Sequence, residues 1–175
     1  MFKVIGLILA LGVVGILGFA AAQPDTFRIE RTVNIKAAPE KIFTFLADFH
    51  QWAGWSPFEK MDSTMQKTFS GATSGKGSVY AWAGKGKSGT GRMEITDFSA
   101  PNRLAINLDF YKPFEAHNVA EFTLVSKGGM TEVTWAMFGP SSFTMKILHL
   151  FMNMDKMVGK DFSAGLENLK TLVEK

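Results

Sequence analysis

Between residues 78 and 138 the chain alternates apolar and polar side chains in one segment after another, and from Ile147 onward the period lengthens to three and four. This change of period constrains the fold more than any other feature. A repeat of two turns one face of an extended strand inward, whereas a repeat near 3.6 puts an apolar stripe on a helix. Residues 78–83, 90–98, 104–110, 116–125 and 132–138 carry the strand period. Short polar or glycine-rich turns separate most of them, among them Gly84-Lys-Gly-Lys-Ser-Gly89, Ser99-Ala-Pro-Asn102 and Lys127-Gly-Gly129. Two further strands precede them, at 27–36 and 65–69. In the first, Arg31 interrupts the apolar face formed by Phe27, Ile29, Val33 and Ile35, and is expected at an edge or against a buried acid. Consecutive strands with short turns imply an antiparallel meander.

Ile147, Phe151, Met154, Val158, Phe162, Leu166, Leu169 and Val173 predict one long amphipathic helix. Gly159 and Gly165 each cost such a helix about 1 kcal/mol relative to alanine, so a bend or a close approach to the backbone is expected at each. A shorter helix opens at Ala38-Pro39-Glu40, with Pro39 suited to the first turn. Gly54 and Pro57 keep the following segment irregular. The expectation is an α+β fold in which a curved antiparallel sheet of about seven strands wraps a long C-terminal helix. The space between them need not close, and an apolar cavity is expected there.

Residues 4–22 hold no charge and are long enough to cross a hydrocarbon core as a helix. Two readings compete. Ala20-Ala21-Ala22 offers a signal-peptidase site, but the apolar run is long and its basic flank is thin, which favours an uncleaved anchor. The division is then a transmembrane segment over 1–24 and a globular domain over 25–175. Lys3 on the short side keeps that end in the cytoplasm. This places the chain in the inner or cytoplasmic membrane with its domain extracytoplasmic, periplasmic in a Gram-negative cell. If the site is cut, the domain is secreted.

Composition removes several classes of function. There is no cysteine, which excludes disulfides, thiolate zinc sites and a cysteine nucleophile. A net charge of +3 is a mixed surface rather than a nucleic-acid footprint. His50, His117 and His149 are far apart, without metal-ligand spacing, so neither a metal nor a cofactor is expected. No Gly-x-Ser-x-Gly elbow occurs, and the glycines of 84–89 lack phosphate-loop spacing. An acid–base enzyme would draw on Glu94, Asp97, Glu115, Glu121 or His117. The alternation of 116–125 turns His117 and Glu121 to solvent, away from Ala116, Ala120, Phe122 and Leu124.

The stretches FRIERTVNIKAAPEKIFTFLADFHQW, WSPFEKMD, YAWAGKGKSGTGRMEI and MDKMVGKDFSAGLENLK, beginning at Phe27, Trp55, Tyr80 and Met154, resemble the SRPBCC or START-like superfamily. The likeness is to its bacterial polyketide cyclase/dehydrase and lipid-transport group. It implies a helix-grip fold with a deep hydrophobic pocket between sheet and C-terminal helix. Members bind lipids, sterols, polyketides or plant hormones, and some catalyse cyclisation or dehydration without a shared catalytic signature. The expected partner is a hydrophobic small molecule or lipid. The candidate lining is Trp55 and Phe58 at the mouth, Trp82, Phe110, Phe122 and Trp135 on strands, and Phe151, Met154, Val158 and Phe162 on the last helix. Met145, Met152, Met154 and Met157 suit an adaptable entrance. A cyclase-like enzyme on the same fold, and an interaction module with a vestigial pocket, are the alternatives.

Overall fold

The structure, a computed structural model, describes residues 2–175 apart from the side chains of Phe2, Lys3, Leu7, Ile8, Lys87 and His149, so the sequence readings on Lys3 and His149 lie outside the described residues. Seven strands form one antiparallel sheet: β1 (Thr26–Ile35), β2 (Gln66–Gly71), β3 (Ser78–Ala83), β4 (Thr90–Ser99), β5 (Arg103–Lys112), β6 (Ala116–Lys127) and β7 (Met130–Pro140). Their spatial order is β1-β7-β6-β5-β4-β3-β2. The meander expected from the alternation therefore runs from β2 to β7, and β1 completes the far edge by pairing with β7, Val33 opposite Val133. Register shifts in β4, at Thr90/Gly91 and Ile95/Asp97, are the irregularities that bend a sheet. Gly128 and Gly129 both have positive φ (56° and 85°), as a two-residue hairpin between β6 and β7 demands.

Four helices complete the chain: α1 (Phe2–Ala21), α2 (Pro39–Ala47), α3 (Phe143–Phe151) and α4 (Met154–Val173). Short 3-10 turns occupy Phe49–Gly54, Pro57–Lys60 and Gly86–Ser88. Helix α4 packs across β1 and β7, and α2 packs beside it. Between the sheet and these helices lie Ile35, Ile42, Leu46, Leu104, Ile106, Phe122, Val133, Leu166, Leu169 and Val173, all fully enclosed. On β6 the alternation holds residue by residue: Asn118, Ala120, Phe122 and Leu124 are buried, and His117, Val119, Glu121 and Thr123 lie on the other face.

The single C-terminal helix predicted from Ile147 to Val173 is two helices. Met152 and Asn153 leave helical geometry, and the Asn153 side-chain oxygen accepts a hydrogen bond from the Lys156 N–H at 2.9 Å. Asparagine favours this capping role over a helix interior, so the period of the apolar stripe continues while the backbone breaks.

Both helix glycines have a close neighbour. A methyl group at Gly159 would collide with the Arg31 guanidinium. Arg31 reaches past Gly159 to the Asp155 carboxylate through two bonds of 3.0 Å, and to the Asp155 carbonyl at 2.9 Å. The arginine that breaks the β1 pattern thus clamps the first turn of α4, although its acid is exposed rather than buried. Gly165 makes room for the Trp135 ring and Pro57.

Residues 4–21 of α1 are long and apolar enough to cross a bilayer, and their described side chains are exposed except Ala20. Helix α3 packs against α1.

Candidate functional site

The space where a cavity was expected holds a cluster of rings. Trp135 from β7 stacks on Phe162 from α4, with centroids 4.1 Å apart and planes 6° from parallel. Phe122 from β6 stacks on Trp135 at 5.1 Å, and Trp55 meets Trp135 edge-on at 5.4 Å. Phe58 stands perpendicular to both Trp135 and Phe162. Edge-to-face and offset contacts suit the aromatic quadrupole, and they fill this part of the interior. Five of the ten predicted lining residues therefore meet in one packed group.

Trp55 is fully enclosed in that group, not at a mouth as the irregular segment suggested. The segment satisfies its own backbone, which allows the burial: the N–H groups of Trp55 and Ser56 donate to the Trp52 carbonyl, and Asn168 of α4 donates to the Trp55 carbonyl at 3.0 Å. Trp52, absent from the predicted set, is central. It touches Trp55 at 4.9 Å, Phe122 at 6.0 Å and Trp135 at 6.3 Å, and its indole N–H donates to the Leu46 carbonyl. The three-residue spacing of Phe49, Trp52 and Trp55 was the available signal. Trp82 and Phe110 form a separate edge-to-face pair at 5.7 Å, linked to the cluster through Tyr80 and Phe49.

Three buried polar atoms lie in or beside the cluster without a protein partner: the indole nitrogens of Trp55 and Trp135, and the Ser56 hydroxyl. A buried group left unpaired costs roughly 1–3 kcal/mol, so native proteins keep few of them.

A recess opens where β1 meets the α3–α4 corner. It has a volume of about 500 Å³ and is lined by Phe27, Arg28, Ile29 and residues 150–155. Phe151 and Met154 of the predicted set belong to it, as does Met152. Met154, Val158 and Phe162 follow at four-residue steps on α4, so one helix stripe leads from this cleft to the ring stacked on Trp135. Phe27, Met154 and Val158 pack on the core. A second recess, about 390 Å³, lies between α2 and Phe98, remote from the predicted residues.

The predicted acid–base candidates do not meet in either place. Glu121 pairs with Arg103 and Arg28, Glu94 with Arg92, and Asp97 with Arg103. His117 is exposed, and the Asp109 carboxylate 2.7 Å from its ring raises its pKa. Glu59, outside that set, has a largely enclosed side chain that accepts from the Tyr80 hydroxyl at 2.8 Å and pairs with Lys67. Burial, then this bond, pushes the Tyr80 phenol well above its ordinary value. With both carboxylate oxygens engaged, Glu59 fastens the turn Pro57–Lys60 to β2 and β3.

A bent antiparallel sheet gripping a C-terminal helix over an apolar interior defines a START-like helix-grip domain. Residues 26–174 match the family described as polyketide cyclase/dehydrase and lipid transport, and the chain belongs to that family of the SRPBCC superfamily. Among solved structures it is similar to ginseng major latex-like protein 151 from Panax ginseng, with a TM-score of 0.62 and 11% identity over 87% of this chain and 100% of that one. It is also similar to Ms6760 from Mycobacterium smegmatis (0.59; 20% identity; 86% and 93% covered) and to the Aha1 dimer from Colwellia psychrerythraea (0.57; 17%; 85% and 96%). At these identities the likeness is one of fold. No curated protein matches the chain in sequence.

Proposed function

We propose that this chain is a membrane-tethered binding protein for a hydrophobic small molecule or lipid, with α1 crossing the bilayer and residues 25–175 forming an extracytoplasmic binding domain. The observation that carries the reading is the cleft between β1 and the α3–α4 corner. Its size suits a small ligand, Phe27, Ile29, Leu150, Phe151, Met152 and Met154 offer apolar contact, and Arg28 and Asn153 offer polar groups at its rim. The family's association with lipid transport supports the ligand class.

The apolar body of the ligand lies against Phe27 and Met154, and the stripe through Val158 leads inward to Phe162 and Trp135. The unpaired indole nitrogens of Trp55 and Trp135 then give the interior hydrogen-bond donors for an acceptor on a ligand that displaces rings. Chemistry is not required of the site.

Native mass spectrometry of the full chain, purified in mild detergent from its own host, tests the reading. A co-purifying hydrophobe is expected. Leu150→Trp narrows the cleft from its wall and is expected to weaken binding of a fluorescent fatty acid at least tenfold while leaving thermal unfolding unchanged. Binding that is indifferent to Leu150→Trp, in a protein that always arrives empty, overturns the proposal.

A further inference from the structure

The segment from Ser141 to Met152 is short of charge where a surface helix would ordinarily carry it. Its one formally charged side chain, Lys146, is 8% exposed and donates to the Asp25 carboxylate at 2.6 Å. The Ser141 N–H donates to the Asp25 carbonyl at 2.7 Å. These two bonds pin α3 to the residue that joins α1 to β1. Helix α3 packs on α1, and Ala20 in the last turn of α1 is fully buried. Yet large apolar side chains remain exposed at this corner: Phe143, Met152 and Met157 at about half, and Phe151 at 71%.

An exposed apolar group of this size marks a contact surface. Its position says which one. Among the described side chains of α1, Ala20 in the last turn is the buried one, and Asp25 just beyond it is held by α3, so a bilayer surrounding α1 has its surface near α3. A helix that turns large apolar side chains outward can lie in that interfacial layer with its apolar face toward the acyl chains.

We propose that α3 is an interfacial helix: Phe143, Phe151 and Met152 insert into the outer surface of the same bilayer that holds α1. This rests on the reading of α1 as a membrane span and deepens it. Phe151 and Met152 also line the 500 Å³ cleft, so docking α3 sets the mouth of the cleft against the lipid. A hydrophobic ligand then passes between bilayer and cleft without crossing water.

The chain has no cysteine, so single cysteines label uniquely. Full-length Gly12→Cys, Phe143→Cys, Phe151→Cys and Ser126→Cys, each carrying an environment-sensitive dye, are reconstituted in vesicles of phosphatidylethanolamine and phosphatidylglycerol. Position 12 reports on α1, and 126 lies at the exposed end of β6. The dyes at 12, 143 and 151 are expected to be quenched by spin-labelled acyl chains and shielded several-fold from aqueous iodide, and the dye at 126 to show the reverse. A lipid-shielded 12 with aqueous 143 and 151 overturns the docking of α3 and leaves the tether standing. An aqueous 12 with shielded 143 and 151 keeps α3 on the bilayer and removes the span. Aqueous readings at all three overturn both. The exposure of Phe143 and Phe151 means that their replacement leaves the fold intact.

Discussion

Single residues explain the two departures from good helix sequence in α4. In an exposed helix, Gly→Ala is worth about 1 kcal/mol of added stability. At Gly159 the sign reverses, because the Arg31 guanidinium occupies the space a methyl group needs. Overpacking of this kind costs roughly 1–3 kcal/mol, and displaced Arg31 also loses its paired bonds to Asp155. Gly159→Ala is therefore expected to lower stability by about 1 kcal/mol in urea unfolding. In an Arg31→Ala background the same change is expected to raise it, so the double-mutant cycle shows a strong coupling. Simple additivity would refute the clamp. Asp62 holds another local joint. It accepts from the Thr64 hydroxyl and N–H, the Lys85 N–H and the Ser88 hydroxyl, and these bonds hold its carboxyl far below the usual carboxylate range. A carboxyl whose pKa falls on folding stabilises above its unfolded value, near 3.9, and loses that contribution as pH falls through the folded value. Wild type should thus exceed Asp62→Asn in stability throughout pH 5–7, with the gap closing below pH 4. A gap independent of pH would show that the bonds do not depend on the charge.

At the scale of elements, periodicity disclosed nearly everything that depends on burial of a face. Six of the seven strands, their order as a meander, and the outward turn of His117 and Glu121 follow from a repeat of two, whereas β2 is exposed along its length and has no buried face to mark it. What periodicity could not disclose is an interruption that preserves phase. Met154 follows Leu150 at a helical spacing, so the apolar stripe crosses the Met152–Asn153 break without a missed beat. Only the capping chemistry of Asn153 distinguishes one helix from two, and one asparagine in a long periodic segment is a weak signal. Its consequence is local and large: the corner it creates is the wall of the cleft. Asn153→Ala removes the bond to the Lys156 N–H and is expected to cost about 1 kcal/mol. The loss should concentrate in faster amide exchange through the first turn of α4, beside Asp155 and Arg31, with the sheet unaffected. Equal loss of protection in β5 and β6 would mean that the cap supports the global fold rather than this corner.

For the whole molecule, five of the residues read from the sequence as pocket lining lie in one packed cluster. Trp55, Phe58, Phe122, Trp135 and Phe162 do converge, but into mutual contact, because rings that face one another across a sheet and helix gain more from packing than from lining a void. The recess proposed above as the ligand site is lined by β1 and the α3–α4 corner, beside the segment that leads into the domain. That location, if α1 spans a bilayer, limits what the protein can do. Helix α1 ends at Ala21 and β1 begins at Thr26. The four residues between them reach at most about 14 Å when extended, and Asp25 is further held by Ser141 and Lys146. A domain on so short a connection stays at its own membrane. On the proposed function, such a domain would take ligand from that bilayer or hand it to a partner that comes to the surface, and would not carry it across a periplasm-sized gap. The full chain in donor vesicles is therefore expected to leave transfer of a fluorescent fatty acid to acceptor vesicles at the spontaneous rate. Inserting a flexible linker of about 40 glycine and serine residues after Gln23 extends the reach to roughly 35 Å, and transfer should then rise with acceptor concentration. Rapid transfer by the unmodified chain, matching that of the long-linker form, would show that the ligand leaves the cleft freely through water and that the tether does not confine its delivery.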